Sequence, residues 1–218
     1  MIRRLVAELV GTAFLVAAVI GSGIAASRLS PGDTGLQLLE NSLATGAVLV
    51  ALILTLQPVS AAFNPVVSAV EAALGLIRWS EAAALALAQL AGGTLGAVLA
   101  NLMFDLDAVS WSTHERSAGH LWLAEVVATL GLVLVVFGGI RSGRAESLAF
   151  AVGGYIAAAY WFTSSTSFAN PAVTVARMFS NTFAGIEPSS VPMFVGMQVL
   201  GGAIALVLVR YLFVPQES

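Results

Sequence analysis

Two asparagine–proline pairs are the residues of this sequence whose types and spacing could do chemistry. They are Asn64–Pro65 and Asn170–Pro171. Asparagine is a favoured N-cap and proline is favoured at the first helical position, so each pair predicts the start of a helix. A capping asparagine accepts a backbone N–H with its side-chain oxygen, which leaves its amide NH₂ as a pair of hydrogen-bond donors. Beside a helix N-terminus of about +0.5 charge, such an amide would bind a neutral acceptor and repel a cation.

Two glutamates, Glu8 and Glu125, lie inside long apolar stretches. A carboxylate within a membrane span is costly and has to face protein or water. Backbone that is not helical at membrane depth leaves N–H groups without partners, and it is tolerated only inside protein or along a cavity. We expect each glutamate to support a neighbouring loop by accepting such N–H groups. A carboxylate that relays protons in a pump is the alternative.

Other titratable residues give weaker signals. A polar connection between two apolar stretches carries both histidines and three acids, and a metal site or pH sensor there is the alternative to an ordinary solvated loop. These residues are His114, His120, Asp105, Asp107 and Glu115. No serine, histidine and acid are spaced as a nucleophile requires, and the sequence has no glycine-rich phosphate loop. We therefore expect neither an enzyme nor a protein with a metal or cofactor.

The composition of the chain indicates what kind of structure positions these residues. Hydrophobic residues make up 58% of the 218 residues, charged residues make up 10%, and the mean hydropathy is +0.93. Soluble domains have about 25% charged residues, so this chain could not cover its surface for water. All nine positive charges are arginines and the sequence has no cysteine, which argues against nucleic-acid binding, disulfide-rich folds and cysteine metal sites. We expect an all-α membrane protein with one domain, residues 1–218.

Six stretches are nearly or fully long enough to cross a membrane as helices of about 20 residues, and the fifth is expected to continue through Thr163 and Ser164. They are Leu5–Ala26, Gln37–Leu56, Ala82–Phe104, Trp122–Ile140, Ser147–Phe162 and Val195–Val214. Two further stretches, Asn64–Gly75 and Asn170–Thr182, are too short, because about 11 helical residues rise roughly 16 Å, near half of the hydrocarbon thickness. We expect two re-entrant half-helices. Two short surface helices are the alternative.

The two halves of the chain repeat the same motifs in the same order. The matched blocks are Ala7–Thr12 with Ala124–Thr129, Asn64–Ser68 with Asn170–Thr174, and Gln89–Gly93 with Gln198–Gly202. Each repeat, residues 1–110 and 120–218, contains three full spans, so the second repeat enters the membrane from the opposite face. Inverted repeats build a pathway at their interface, where interrupted helices meet. The glycines of the third block are expected to allow close helix packing.

The arginines favour one orientation, because arginine and lysine collect in cytoplasmic loops. With the N-terminus inside, six arginines lie on the cytoplasmic side and three on the opposite side. The six are Arg3, Arg4, Arg78, Arg141, Arg144 and Arg210, and the three are Arg28, Arg116 and Arg177. We therefore expect both termini in the cytoplasm.

The motifs Asn64-Pro65-Val66 and Asn170-Pro171-Ala172, one intramembrane glutamate in each half and six spans resemble the aquaporin or major intrinsic protein family. The resemblance covers essentially the whole chain. It implies the aquaporin fold, with six transmembrane helices and two re-entrant half-helices that meet at their N-termini in the membrane centre. It also implies a homotetramer in the lipid bilayer with one pore per subunit. The six residues of the two motifs would then form the central pore constriction.

The outer pore departs from the family pattern. In most members an arginine follows the second asparagine by three positions and, with an aromatic residue, narrows the pore. Here that position is Val173. Counting from the Asn-Pro motifs places the other positions of this selectivity filter at Thr45 or Ala44, Ala158 and Ser167. None of these residues is aromatic or charged, so the resemblance implies a wide filter.

The filter composition predicts a passive channel for small uncharged solutes: water, glycerol-like polyols, urea, and neutral metalloid hydroxides such as arsenous or boric acid. Arg177 lies four positions after Val173, about one helical turn beyond the filter, and is not expected to substitute for the missing arginine. One of two electrostatic barriers to cations would then be lost, which leaves the half-helix dipoles as the other.

A narrower likeness supports the same class of solute. The segments Tyr160–Thr163 and Ala184–Ile186 resemble those of bacterial aquaglyceroporins associated with arsenic detoxification, which implies the inner membrane of a bacterium. A water-selective aquaporin is the first alternative. An ion-coupled secondary transporter is the alternative from another class, because such proteins also use inverted repeats and broken helices.

Overall fold

The structure is a computed structural model that describes residues 1–213. It contains eight α-helices and no strand within these residues, which confirms the all-α prediction. The helices are α1 (Ile2–Leu29), α2 (Thr34–Leu56), α3 (Pro65–Ala73), α4 (Trp79–Met103), α5 (Gly119–Arg141), α6 (Leu148–Phe162), α7 (Pro171–Arg177) and α8 (Val191–Leu212). Short 3₁₀ turns, Ala145–Ser147 and Pro188–Ser190, precede α6 and α8. Val214, the expected end of the last span, lies outside the described residues.

Five of the helices, α1, α2, α4, α5 and α8, are long and apolar enough to cross a membrane. The fifth expected span, α6, has only 15 residues and ends at Phe162. Its expected continuation through Thr163 and Ser164 is wrong, because Thr163 adopts an extended conformation with φ −111° and ψ 133°. The chain leaves the helix there so that Ser165 can reach Glu125, to which its hydroxyl donates at 2.6 Å.

The helices of the two halves pack in the same order. Helix α1 contacts α2 and α4 most extensively, and α5 contacts α6 and α8 in the same way. The two halves meet where α2 packs on α6. The short helices cross between them: α3 contacts α4 and α8, and α7 contacts α8 and α4. Each short helix is therefore enclosed by a long helix from each half, which fits re-entrant half-helices rather than surface helices.

Glycines allow the closest of these helix contacts. A Cβ at Gly92 would overlap the backbone carbonyl of Leu9, and a Cβ at Gly96 would overlap that of Ala13, so α1 and α4 touch backbone to backbone. In the second half, Gly201 approaches the carbonyl of Val126 in the same way. Such contacts are the usual role of small residues in membrane helix packing.

Gly92→Ala is expected to destabilise the protein by about 1–3 kcal/mol, because the added methyl group forces α1 and α4 apart. Gly196→Ala is the matched control, since it adds the same methyl group to the interior of α8 where nothing lies within 4 Å. Thermal unfolding in detergent, followed by tryptophan fluorescence, measures both. Equal unfolding midpoints for the two variants would contradict close packing at Gly92.

Candidate functional site

The N-termini of α3 and α7 meet inside the protein, and the two asparagines cap them. The Asn64 side-chain oxygen accepts the N–H of Val66 at 3.0 Å. That of Asn170 accepts the N–H groups of Ala172 at 2.9 Å and Val173 at 3.3 Å. Both asparagines are extended and each is followed by proline at the first helical position. Each Asn-Pro pair thus begins a helix, as the sequence predicted.

The two asparagine amides also join the halves of the chain. Asn64 Nδ2 donates to the carbonyl of Ala169 at 2.8 Å, and Asn170 Nδ2 donates to the carbonyl of Phe63 at 2.7 Å. The expectation that both N–H donors of each amide are left free is therefore wrong, because the opposite loop accepts one of them. One N–H of each asparagine is left for a solute.

The acceptors of these cross-links lie in strained loops. Phe63 and Ala169 immediately precede the asparagines, and each has a φ of +49°. Residues with a Cβ rarely adopt this left-handed region, so neighbouring contacts have to hold them there. The two buried glutamates provide those contacts.

Glu8 is fully buried and accepts four hydrogen bonds. Its Oε1 accepts from Ser60 Oγ at 2.6 Å and from the N–H of Ala62 at 2.9 Å. Its Oε2 accepts from the N–H of Phe63 at 2.7 Å and from Gln89 Nε2 at 2.8 Å. The carboxylate therefore ties the strained loop before α3 to α4.

Glu125 repeats this arrangement in the second half. Its Oε1 accepts from Ser165 Oγ at 2.6 Å and from the N–H of Phe168 at 3.0 Å. Its Oε2 accepts from the N–H of Ala169 at 2.9 Å and from Gln198 Nε2 at 2.6 Å. These are the hydrogen bonds expected of an acid that supports a loop, and they occupy both oxygens.

A cavity runs past the two asparagines, and corresponding residues of the two halves line it. Leu15 and Val19 of α1 correspond to Leu132 and Val136 of α5. Four further helices contribute residues to the cavity wall, and within α2, α6 and α7 these residues follow one another at helical spacing. These are Thr45, Leu49 and Ile53 of α2, Val67 of α3, Leu148, Val152, Ile156 and Tyr160 of α6, and Val173 and Arg177 of α7. The wall is mostly apolar, with polar groups at the asparagines and at one end.

A second cavity continues the path toward the end that carries the N-terminus. It shares Ile53, Val67 and Leu148 with the first cavity. Arg4 and Glu71 line its far side. The asparagines therefore lie between two vestibules rather than at the bottom of a closed pocket.

Three of the four expected filter residues line the first cavity: Thr45, Ser167 and Val173. Of the two alternatives for the α2 position, Thr45 is buried in the cavity wall, whereas Ala44 is only half-buried and does not line it. The hydroxyl of Ser167 is buried and has no hydrogen-bond partner within residues 1–213. It is therefore an unpartnered polar group in the cavity wall.

The expectation for Ala158 is wrong. Ala158 is exposed on the outside of the protein, whereas Tyr160 is buried and lines the cavity. Helix α6 presents every fourth residue to the cavity, and Ala158 lies two residues, or about 200°, from that row. The Tyr160 hydroxyl lies 3.2 Å from Thr45 Oγ1. The residues that line the cavity beside Thr45 thus include an aromatic side chain, which the sequence did not predict for the filter.

Arg177 lies one helical turn after Val173, as expected from the sequence, and it also lines the cavity. It is 2% exposed, and its guanidinium carbon lies 3.4 Å from the centroid of the Phe168 ring. Its Nε donates to the carbonyl of Ala184. The spacing of three and four residues between Asn170, Val173 and Arg177 is the signal that could have placed all three on one face.

The other four motif residues do not line the cavity. Pro65 and Pro171 occupy the first turns of their helices. Val66 lies where a Cβ on Gly202 would overlap its side chain, and the Ala172 carbonyl lies 3.1 Å from the Cβ position of Gly93. Only Asn64 and Asn170 of the six therefore contact the path, and the other residues position them.

The polar connection before α5 is ordered around the mouth of the cavity. The N–H of Ser112 donates to the Met178 carbonyl at 2.9 Å, and the His114 carbonyl accepts from the N–H of Glu187 at 2.8 Å. Burial, with the nearby charges of Arg116 and Arg177, lowers the pKa of His114. Within residues 1–213, no cluster of three histidines or acids could hold a metal ion. The connection therefore packs on the segment after α7, while its two histidines and three acids are exposed, as expected of a solvated loop.

Comparison with known proteins shows what this chain is similar to. The family model described as "Major intrinsic protein" matches residues 1–149. The aquaglyceroporin AqpS of Rhizobium meliloti (strain 1021) is 51% identical over 214 residues, which cover 98% of this chain and 91% of that protein. The X-ray structure of the aquaglyceroporin from Plasmodium falciparum superimposes with a TM-score of 0.76 at 17% identity, and the match covers 98% of this chain and 97% of that one.

Proposed function

This chain belongs to the major intrinsic protein family and is a passive membrane channel for small uncharged solutes, and we propose that its pore passes glycerol-sized solutes as well as water. The family and the aquaporin fold expected from the sequence are confirmed. The proposal concerns the solutes and the residues that select them.

The cavity wall next to the asparagines combines one apolar side chain with three hydroxyl groups, and this combination carries the proposal. Val173 takes the place of an arginine, so no guanidinium projects from this position. The hydroxyls of Thr45, Tyr160 and Ser167 line the same stretch, and that of Ser167 has no partner within the described residues. A polyol has a carbon side and a hydroxyl side, which match Val173 and the three hydroxyls. The name aquaglyceroporin, given to the 51% identical relative, agrees with this class of solute.

At the centre, Asn64 and Asn170 would each donate one N–H to the solute oxygen, while two helix N-termini point at the same place. This arrangement favours a neutral acceptor over a cation, which loses its hydration there. We propose Glu8 and Glu125 as the acids that hold the loops, because their oxygens are fully occupied by hydrogen bonds. Urea and neutral metalloid hydroxides such as arsenous acid are of similar size and are included in the proposal.

We propose that both termini lie in the cytoplasm of a bacterium and that the chain forms a homotetramer. Arg4 and Arg78 share Glu81 at 3.7 and 3.4 Å, and Arg210 donates to the carbonyl of Ala73 at the end of α3. Arginines assigned to the cytoplasmic side thus gather at one end of the protein. Large exposed side chains such as Phe14 and Leu87 provide apolar surface for lipid or for neighbouring subunits.

Stopped-flow light scattering on proteoliposomes tests the proposal with water, glycerol, urea and arsenous acid. We expect all four to move faster than in empty liposomes, glycerol by about tenfold, which corresponds to ~1.4 kcal/mol of barrier removed. The glycerol flux should rise linearly with concentration and ignore sodium and proton gradients, whereas a secondary transporter would saturate and respond to them. Water flux with glycerol no faster than in empty liposomes would contradict the proposal and favour a water-selective pore.

A further inference from the structure

We propose that Arg177 is the charge-selective residue of this pore and that it excludes cations one helical turn outward of Val173. Selection by size and selection by charge would then depend on different residues. Val173 leaves the pore wide enough for larger neutral solutes, and Arg177 keeps a positive charge at the mouth. This inference rests on the channel function proposed above and assigns one of its selectivity determinants.

Arg177 lies on the path that a solute takes. Asn170, Val173 and Arg177 line the same cavity in succession along α7. Arg177 is 2% exposed although it carries a charge. A solute that moves outward from the asparagines therefore passes Val173 and then Arg177.

The Arg177 guanidinium is held at the cavity wall. It stacks on Phe168 at 3.4 Å, and its Nε donates to the carbonyl of Ala184. Phe168 is 4% exposed and packs edge-on against Phe194 at 5.2 Å between ring centroids, so its ring is itself fixed. A stacked planar guanidinium has little freedom to swing across the pore. Arg177 thus contributes charge while it leaves room beside Val173.

Glu125 attracts the Arg177 charge through space, but its two oxygens are occupied by other donors and do not pair with Arg177. Within residues 1–213, Arg177 forms no salt bridge, and Nε is its one hydrogen-bonding group. Its two Nη groups remain available to donate to a solute oxygen. Arg116, whose guanidinium carbon lies 5.0 Å from the same Phe168 ring, adds a second positive charge nearby. In a poorly hydrated site, an unpaired charge acts strongly on an ion that passes it.

The test compares two arginines that share one environment. Arg177→Gln removes the charge that lines the cavity. Arg116→Gln is the matched control, because Arg116 is also buried, stacks on Phe168 and donates from Nε to the adjacent carbonyl of Gly185 at 3.0 Å, but does not line the cavity. Proton and sodium leak are measured in proteoliposomes under a clamped potential, and water flux shows that each variant is folded.

We expect wild type, Arg116→Gln and Arg177→Lys to leak no more than empty liposomes. Arg177→Gln should raise the cation leak by about tenfold, or ~1.4 kcal/mol of barrier, while water flux remains above that of empty liposomes. If Arg177→Gln does not fold, Arg177→Met, which keeps an unbranched chain over Phe168, takes its place.

Two outcomes would overturn the inference: a cation leak through the wild-type channel, or a water-conducting Arg177→Gln variant that is as tight as wild type. A wild-type protein that passes water but not glycerol would instead end the proposed solute class. The leak measurements stand apart from that result, because they use water flux as their control.

Discussion

Val173→Arg is expected to lower glycerol permeability by about tenfold or more, which adds ~1.4 kcal/mol or more to the barrier. Val173 is 5% exposed and lines the cavity beside the hydroxyls of Thr45, Tyr160 and Ser167. An arginine there would project a long cationic side chain into the pore, with Arg177 one turn away as a like charge. Water flux should fall less, because water is smaller than glycerol. Stopped-flow light scattering with both solutes on the same vesicles measures the ratio.

Val173→Met separates size from charge, because methionine is unbranched and apolar and extends further than valine. If charge and hydrogen bonding close the pore, Val173→Met should keep most of the glycerol flux. If volume alone closes it, both variants should lose glycerol flux together. Unchanged glycerol permeability in Val173→Arg would show that Val173 does not line the constriction.

Much of the fold could be predicted because short sequence motifs determine the local structure. The Asn-Pro pairs predict helix starts through capping geometry alone, and α3 and α7 begin at Pro65 and Pro171. A glutamate inside an apolar span has to find donors, and the nearest loop without helical bonds supplies them. The matched motifs then predicted that both halves would repeat these contacts, and the hydrogen bonds of Glu8 and Glu125 correspond one to one.

The details of the pore depended on loop conformation, which the sequence does not state. Counting back from Asn170 reached Ala158, because the count cannot show which row of α6 faces inward after the chain leaves the helix at Thr163. The crossed amide bonds depend on left-handed backbone at Phe63 and Ala169, where neither residue type suggests a positive φ.

For Arg177, the sequence predicts the helix face but not the direction of the side chain. Its helical spacing from Asn170 and Val173 was readable from the sequence, and it predicts a common face. The direction of a long side chain depends on its partners, however, and those of Arg177 lie at Phe168 and Ala184 in separate loops. A position one turn from a filter residue can therefore line the same cavity.

Glu125→Ala is expected to abolish water flux and to destabilise the protein by several kcal/mol, on the order of 1–3 kcal/mol for each buried group left without a partner. It would remove the acceptor for the N–H groups of Phe168 and Ala169, the Ser165 hydroxyl and the Gln198 amide. Ala169 then loses the acceptor of its N–H, which helps to hold its φ of +49°, and the carbonyl that binds Asn64 loses its position. Thermal unfolding and stopped-flow water flux measure the two losses.

The Glu125→Gln variant distinguishes this scaffold role from a proton relay. Glutamine has nearly the same shape, but its NH₂ is a donor placed among donors, so a scaffold predicts partial loss of both stability and water flux. A relay predicts a stable protein with normal water flux and an altered response to proton gradients. Glu146→Ala is the control, because Glu146 is an exposed acid in the connection before α6 and its loss should change neither measurement.

Glu8→Ala should repeat the Glu125→Ala result, since its four hydrogen bonds hold Phe63 and hence the carbonyl that binds Asn170. A stable, conducting Glu8→Ala variant would mean that the two halves do not share one mechanism of loop support.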